Sequence, residues 1–263
     1  MKLPVYVVDA FTSKLFGGNP AAICPLEEWL PDELMQNLAA ENNLAETAFI
    51  VNENGRYRIR WFTPGAEVAL CGHATLATAH VFYTQLGYTG NEISFDSLSG
   101  ILKVYSNTEG MYTLDFPVDS NLKALAEAPA GLLEALGVPD AGIFQTSFDY
   151  MVVLPSQKDV EAVSPDLKAL AKTGGRGVIV TAKGDEADFV SRFFAPQVGI
   201  DEDPVTGSAH TALTPYWAGQ LQKNPLKAIQ LSKRRGHLSC ELKGDRVYIS
   251  GGAVTYMKGE CFV

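Results

Sequence analysis

The stretch EDPVTGSAHTAL, residues 202–213, places acidic residues directly before the predicted start of a helix at Gly207 and Ser208. The first backbone N–H groups of a helix have no partner within the helix, so a helix start can bind an anion. A neighbouring carboxylate, such as that of Asp203, could then handle a proton of the bound molecule. The alternative is a surface turn before a helix, in which Asp203 only forms the turn ahead of Pro204.

Glu46 is a second candidate for proton chemistry. It lies where a predicted helix ends and a predicted strand begins, among Ala45, Thr47, Ala48 and Phe49. Such surroundings favour the neutral form of a carboxyl group, which suits a group that both donates and accepts protons. The alternative is a solvated glutamate at a junction, and the apolar neighbours argue against it.

A third candidate is the segment CGHATLATAHVFYTQLG, which predicts a helix opened by Gly72 and His73. A lone histidine at such a place is usually a capping or packing residue. Metal binding by Cys71, His73 and His80 is another alternative, but their spacing matches no zinc pattern, and we predict neither a metal nor a cofactor. Cys71 fits a small buried residue, whereas His210, near the later helix start, either lines the site or packs.

Composition points to a small molecule as the partner. The chain of 263 residues has a net charge of −9, whereas nucleic acids and anionic membranes require basic surface. No apolar run approaches the ~20 residues that cross a bilayer, and the N-terminus lacks signal-peptide features, so we expect a cytoplasmic protein. The four cysteines form no CxxC pair, which predicts reduced thiols and neither a disulfide framework nor structural zinc.

Helices and strands must position these candidates. VYVVDAF predicts an opening strand, FGGNP a turn, and AAIC a second strand. LPDELMQNLAAENNL, with Pro31 in its first turn, predicts a helix that ends just before Glu46. RYRIRWFT predicts a half-buried strand because Tyr57, Ile59 and Trp61 alternate with arginines. No GxGxxG follows the first strand, which argues against a dinucleotide-binding fold.

The second half of the chain repeats the first in outline. RWFTP, beginning at Arg60, is echoed by RFFAP, in which Arg192 holds the same place. Each motif is followed by acids and then by a glycine-started helix rich in small residues. The two arginines either lie as charges on a strand surface or pair with acids such as Glu67 and Glu202.

The repeat predicts two related α/β lobes, residues 1–118 and 119–263. In an alternative division, the terminal segment crosses from the second lobe to the first. Strands in hairpin-like runs, without strict βαβ alternation, favour an α+β arrangement of antiparallel or mixed strands wrapped on a helix. If the lobes face each other, both helix starts point their positive ends into one cleft. A small carboxylate would bind there.

Taken together, these motifs resemble the phenazine-biosynthesis-like (PhzF) isomerase family, whose fold is shared with diaminopimelate epimerase. The matching stretches cover nearly the whole chain: VDAFTSKLFGGNPAAI, AETAFI, RWFTPGAEVALCGHATLATA, SLSG and DPVTGSAHTAL. Each is weak alone, and the combination is highly specific. The resemblance implies two pseudo-symmetric lobes, each a curved, barrel-like mixed sheet around a central helix, with an active site in the cleft and a homodimeric assembly.

The resemblance also implies roles for particular residues. Glu46 matches the glutamate that shuttles the proton, and Asp203 matches the aspartate that orients polar groups of the substrate and contributes to catalysis. His73 matches a histidine that contacts the substrate and assists proton transfer. The residues implied to offer close backbone approach and donors to a substrate carboxylate are Gly72, Gly207 and Ser208.

Two features separate this chain from many PhzF-family members and from diaminopimelate epimerase. Many members have a serine where this chain has Ala45, so a specialised phenazine substrate is not implied. Diaminopimelate epimerase uses a cysteine at each of its two helix starts, whereas the later start here, PVTGSA, has none. A mechanism with two thiols is therefore disfavoured.

Three functions follow. The first is a cofactor-independent isomerase that moves a proton on a small carboxylate-bearing metabolite, with Glu46 as the acid and base. The second is an epimerase or racemase of an amino-acid-like substrate, which requires a second base that Asp203 could supply. The third is a non-catalytic protein that binds a small molecule, and the joint presence of Glu46, His73 and Asp203 argues against it.

Overall fold

The computed structural model describes residues 1–107 and 110–263, which group into two compact units. Unit 1 comprises Met1–Phe116 and Tyr248–Val263, and unit 2 comprises Pro117–Val247. None of the helices in the described ranges has both the length and the apolar character needed to cross a membrane.

The helices and strands of the described residues follow one another along both units. In chain order they are β1 (Lys2–Ala10), β2 (Asn19–Leu26), α1 (Asp32–Asn42), β3 (Glu46–Glu53), β4 (Arg56–Phe62), β5 (Glu67–Val68), α2 (Gly72–Thr84), β6 (Glu92–Ser97), β7 (Gly100–Ser106), β8 (Met111–Pro117), β9 (Lys123–Ala124), α3 (Leu132–Leu136), β10 (Gly142–Gln145), β11 (Tyr150–Val153), α4 (Gln157–Ala162), α5 (Leu167–Leu170), β12 (Val178–Lys183), β13 (Phe189–Phe194), a 3-10 turn (Pro196–Val198), α6 (Gly207–Leu221), β14 (Leu226–Gln230), β15 (Gly236–Lys243) and β16 (Arg246–Phe262).

Unit 1 is built on a closed barrel, which within the described residues has eight strands in the order β1-β2-β3-β4-β6-β7-β8-β16. Antiparallel pairing of β1 with β16 closes the ring, and the short β5 adds to β4. The pairs β2–β3 and β4–β6 are parallel, whereas β1–β2, β3–β4 and β6–β7–β8 are antiparallel. Closure satisfies the backbone groups that an open sheet would leave unpaired at its edges.

Helix α2 is the central helix of unit 1. Every residue from His73 to Phe82 is buried, and this segment has no polar face. A helix without such a face must be covered from all directions, and strands β1, β2, β3 and β7 pack against it. The predicted arrangement of a mixed, curved sheet around a helix is confirmed.

Unit 2 repeats the pairing pattern of unit 1 with its own strands, in the order β15-β14-β13-β12-β11-β10-β9. The pairs β11–β12 and β13–β14 are parallel, in the same places of the motif as β2–β3 and β4–β6. Helix α6 packs against β14 and β15, and its Trp217 donates from Nε1 to Thr181 Oγ1 at 3.0 Å. The pseudo-symmetry inferred from the sequence is therefore present in the strand order.

The internal repeat also appears in side-chain contacts. Arg60 donates from Nε and Nη2 to both carboxylate oxygens of Glu67, each at 2.7 Å. Arg192 makes the same bidentate contact with Glu202, at 2.7 and 3.1 Å. Of the two alternatives left open by the sequence, ion pairing is the one that the structure shows, and it ties each strand to the segment leading toward the next long helix.

Helix α1 is shorter than the sequence predicted. Pro31 lies before the helix, and its carbonyl accepts the N–H groups of Leu34 and Met35. At the other end Asn43 adopts a left-handed conformation, which asparagine tolerates better than most residues. The chain therefore turns at Asn43 and enters β3 at Glu46.

The turn between β1 and β2 admits only glycine at position 18. Gly18 has φ of +59°, and a Cβ there would lie 1.9 Å from the carbonyl oxygen of Ala10. Asn19 follows as the first residue of β2, pairs in register with Ala10 and is fully buried. Pro20, whose φ is fixed by its ring, comes next. This turn therefore holds the backbone of Asn19 from both sides.

We expect Gly18→Ala to lower the free energy of unfolding by about 2–5 kcal/mol. A positive φ costs an L-residue ~1–2 kcal/mol, and overlap with a packed neighbour adds ~1–3 kcal/mol. Gly55→Ala is the matched control, because Gly55 has φ of +86° but a Cβ there would meet nothing within 4 Å. Urea denaturation of both variants measures the difference, and equal losses would show that the close approach to Ala10 is not a constraint.

Candidate active site

Glu46 and His73, which the sequence analysis assigned to proton transfer, are in contact in unit 1. Glu46 is the first residue of β3 and pairs with Ala21 of β2, while His73 follows Gly72 in the first turn of α2. The carboxylate Oε2 of Glu46 lies 3.1 Å from His73 Nε2, and their side chains are only 12% and 5% exposed. The two residues form a buried carboxylate–imidazole pair.

This contact leaves hydrogen-bonding capacity unused. Glu46 Oε2 and His73 Nε2 are within ion-pair distance, but their mutual orientation is not that of a hydrogen bond, and neither has another such partner in the described part of the chain. Buried polar atoms in folded proteins are nearly always hydrogen-bonded. Two buried atoms that face each other, each able to form a further hydrogen bond, are typical of a binding site for a small molecule.

Two further side chains contact the opposite nitrogen of the imidazole. Asn19 Nδ2 lies 3.1 Å from His73 Nδ1, and Cys71 Sγ lies 3.6 Å from the same atom. Cys71 is buried, as predicted, and directly precedes α2. Asn19 was not among the residues predicted from the sequence, where its available signal is its position between a glycine and a proline in FGGNP.

Burial dominates the electrostatics of these groups. It raises the pKa of the Cys71 thiol to about 11, so the sulfur stays protonated at neutral pH. Burial by itself lowers the pKa of His73, but the adjacent Cys71 and Glu46 groups raise it, and the net direction is upward. Burial also lowers the pKa of His80 and of His210, each to about 4, so both are neutral at pH 7.

His80 and His210 have structural contacts of their own. The ring of His80 is hydrogen-bonded to Tyr112 Oη at 3.1 Å and to Thr255 Oγ1 at 2.9 Å. His210 donates from Nδ1 to the carbonyl of Thr206 at 2.9 Å and is fully buried. Nε2 of His210 has no hydrogen-bond partner among the described residues, so the choice between lining the site and packing stays open.

The same region contains potential metal-binding atoms. Within the described ranges, Glu46, Cys71 and His73 have such atoms within 4.8 Å of one another, and His80 is not part of this group. A cysteine binds a metal as the thiolate, whereas burial keeps the Cys71 thiol protonated. A bound metal would itself displace that proton, so the absence of a metal at this group stays a prediction.

In unit 2, Asp203 lies in the loop before α6, and Gln230 of β14 is hydrogen-bonded to this loop. Asp203 Oδ2 accepts a hydrogen bond from Thr206 Oγ1 at 2.5 Å. The fully buried Gln230 donates from Nε2 to the carbonyl of Asp203 and accepts the N–H of Thr206 on Oε1, both at 2.8 Å. One side chain therefore holds both ends of the DPVT segment.

Gly207 and Ser208 are the first two residues of α6, as the sequence predicted. Ser208 Oγ accepts a hydrogen bond from Arg176 Nη2 at 3.0 Å, and Arg176 is bidentate to the buried Asp149 at 2.9 and 2.6 Å. Because the Ser208 oxygen accepts from Arg176, its hydroxyl proton is available for another acceptor. Arg176 was not among the residues predicted from the sequence; it stands 32 residues before Ser208 in a glycine-rich stretch.

The two units differ at the position of the Glu46–His73 pair. In unit 1, the residue after Glu46 pairs with Phe62 of the RWFTP motif. In unit 2, Val178 pairs with the corresponding Phe194 of RFFAP, and the residue before Val178 is Gly177. The residue after the helix-starting glycine also differs, being histidine in unit 1 and serine in unit 2. Unit 2 therefore has no carboxylate at the place equivalent to Glu46.

Comparison with known proteins gives consistent matches over the whole chain. The sequence model of the family described as phenazine biosynthesis-like protein matches residues 8–259. An uncharacterized isomerase of Pseudomonas aeruginosa is 49% identical over 259 residues, which is 98% of each chain. A solved PhzF-family structure from Enterococcus faecalis covers 100% of both chains with 46% identity and a TM-score of 0.96. A predicted epimerase from Pseudomonas aeruginosa, 21% identical over 99% of each chain, shares the fold with a TM-score of 0.78.

We expect Gln230→Leu to lower the free energy of unfolding by about 2–4 kcal/mol. The change removes the partners of a buried N–H and a buried C=O, and each unsatisfied group costs ~1–3 kcal/mol. Gln222→Leu is the control, because Gln222 is exposed and its side chain donates to the carbonyl of Gly219, at 2.7 Å. Thermal and urea unfolding measure both variants, and a loss no larger than that of the control would contradict the role of Gln230 in holding the loop.

Proposed function

Because this chain belongs to the phenazine biosynthesis-like protein family, we propose that it is an isomerase that moves a proton on a small carboxylate-bearing metabolite, with its own side chains as acid and base. The observation that carries the proposal is the buried contact of 3.1 Å between Glu46 and His73, in which both facing atoms have spare hydrogen-bonding capacity. A carboxylate and an imidazole at this distance can exchange protons with a molecule placed beside them.

Glu46 is the proposed proton shuttle. Its carboxylate removes a proton from one carbon of the substrate, and the electron pair of the broken C–H bond is delocalised over the substrate's unsaturated system. The resulting carboxylic acid returns the proton to another carbon on the same face. The substrate keeps its composition and oxidation level, so the reaction needs no second reactant.

The helix starts are the proposed binding groups for the substrate carboxylate. Gly72 begins α2 and Gly207 begins α6, and the N–H groups of a helix start favour an anion. Ser208 adds a hydroxyl whose oxygen is already held by Arg176, so its proton can be donated to the carboxylate. Such donors also stabilise negative charge that develops on the substrate in the transition state.

Asp203 is proposed to orient polar groups of the substrate, and His73 to contact the substrate and assist proton transfer. The fastening of the Asp203 loop by Gln230 supports a positioning role, because a rigid carboxylate defines one orientation of its partner. The homodimer and the cytoplasmic location implied earlier remain predictions, and light scattering of the purified protein tests the first of them.

An epimerase or racemase is the second candidate, and the fold shared with a predicted epimerase favours it. A two-base reaction needs a second acid or base on the opposite face of the substrate. Unit 2 has Gly177 where unit 1 has Glu46, which supports the one-base isomerase. Asp203 is the remaining candidate for a second base. Deuterium labelling of a product separates transfer on one face from inversion at a single carbon.

We expect Glu46→Gln to abolish substrate deuteration and to reduce turnover by at least ~100-fold, since removal of a general acid or base typically costs ~100- to 10,000-fold. The measurement is NMR in D₂O of a library of small carboxylic acids, including dihydroanthranilate-like and amino-acid-like compounds. Exchange with the native protein and none with the variant is the expected outcome.

Glu41→Gln is the matched control, because Glu41 is exposed on α1 and the substitution makes the same chemical change. This variant should keep full exchange activity. Full activity in Glu46→Gln would contradict the assignment, and a library compound that binds without any exchange would favour a non-catalytic binding protein.

For any compound that exchanges, we expect Ser208→Ala to lower kcat/KM by about 10-fold, equivalent to one lost hydrogen bond of ~1.4 kcal/mol to a charged group. Ser106→Ala, at the end of β7 in unit 1, is the control and should not change kcat/KM. An unchanged kcat/KM in Ser208→Ala would remove this hydroxyl from the binding groups.

A further inference from the structure

We propose that Asn19 is a positioning residue that keeps the proton of neutral His73 on Nε2, the nitrogen that faces Glu46. The inference deepens the proposed function, on which it rests for its catalytic meaning. It concerns which member of the Glu46–His73 pair accepts a proton from the substrate and which one donates.

The contact between Asn19 and His73 carries the proposal. Asn19 Nδ2 lies 3.1 Å from His73 Nδ1, and both side chains are buried. An amide nitrogen only donates hydrogen bonds, so the histidine nitrogen opposite it must accept one. In a neutral imidazole the accepting nitrogen carries no proton, which leaves the proton on the other nitrogen.

Cys71 directs a second donor at the same nitrogen. Its Sγ lies 3.6 Å from His73 Nδ1, and a thiol in this buried place keeps its proton at neutral pH. An S–H group is a weak donor. The N–H of Asn19 and the S–H of Cys71 can form hydrogen bonds to Nδ1 only if this nitrogen has a free lone pair and carries no proton.

The backbone around Asn19 makes this arrangement rigid. Gly18 has no room for a Cβ because Ala10 is too close, and Pro20 fixes the backbone on the other side. Asn19 itself begins β2 and pairs in register with Ala10. The backbone of Asn19 is therefore held by the barrel, and its side-chain amide extends from this fixed point to His73.

The consequence is a division of roles within the pair. With the proton on Nε2, neutral His73 presents an N–H toward Glu46 Oε2, 3.1 Å away, and has no lone pair on that side. His73 then donates a hydrogen bond or a proton to the substrate. Glu46 is the base of the pair.

The test is a measurement of the histidine tautomer by NMR of the full-length protein labelled with ¹⁵N-histidine. Long-range ¹H–¹⁵N spectra across the pH range in which the protein is folded show which ring nitrogens carry a proton. The signals of His73 are those lost in His73→Gln. Because the neighbouring groups raise the pKa of His73, the neutral ring is populated toward the alkaline end of this range, and we expect it to carry its proton on Nε2.

Two variants separate the two donors. Asn19→Asp places a carboxylate, which only accepts, against Nδ1, and should bring a proton to that nitrogen. Cys71→Ala leaves the amide in place and should keep the proton of the neutral ring on Nε2. If Asn19→Asp does not fold, the spectrum of the native protein and that of Cys71→Ala decide the question.

Three results would overturn the proposal: a neutral His73 that carries its proton on Nδ1, a ring protonated on both nitrogens throughout the pH range, or a folded Asn19→Asp with an unchanged tautomer. These spectra need no substrate. Failure of the tautomer assignment is therefore distinguishable from failure of the proposed isomerase activity, which the exchange experiment with Glu46→Gln measures separately.

Discussion

The central constraint on unit 1 is that it holds a carboxylate and an imidazole against each other with little access to water. Removal of ionisable groups from water is costly, and the cost is offset only when partners are close and correctly placed. Glu46 and His73 lie 3.1 Å apart because one begins a barrel strand and the other begins the helix packed against that barrel. Both the closed sheet and the buried helix are needed for this contact.

The helix is unusual in composition for the same reason. A helix covered on all sides by strands needs small or apolar side chains in every direction, and α2 supplies alanine, threonine and leucine with two histidines. Its threonines direct their hydroxyls to backbone carbonyls one turn back, as Thr75 does to Cys71 and Thr78 to Ala74. Polar side chains can therefore be buried without loss of hydrogen bonds, and His73 is left for other partners.

Unit 2 shows how a repeated architecture diverges at one position. The parallel pairs, the bidentate arginine–glutamate contacts and the glycine-started helix are all kept. The place equivalent to Glu46 is Gly177, and the place equivalent to His73 is Ser208, which is held by Arg176. The fold accommodates different residues at these two positions because the arginine–glutamate contacts and the strand pairs involve other residues. Under the proposed function, proton transfer belongs to unit 1, whereas Ser208 of unit 2 helps to bind the carboxylate.

Much of the fold and part of the site could be predicted from the sequence, because local patterns carry them. Alternation in RYRIRWFT, the turn FGGNP and the glycine-started helices each reflect forces that act within a few residues. The repeat of RWFTP and RFFAP predicted two related lobes, and the resemblance to a family led to Glu46, His73 and Asp203. The end of α1 at Asn42, followed by the left-handed Asn43, was less predictable because helix ends depend on single residues.

Only the tertiary structure decided which side chains meet. Arg60 and Arg192 pair with Glu67 and Glu202, an outcome that the sequence left open. Asn19 reaches His73 across 54 positions of the chain, and Gln230 reaches Thr206 across 24. Local propensity holds no information about such contacts, because a polar side chain has the same preferences whatever partner it later finds. Strand register and helix placement select the partner, and both are properties of the folded chain as a whole.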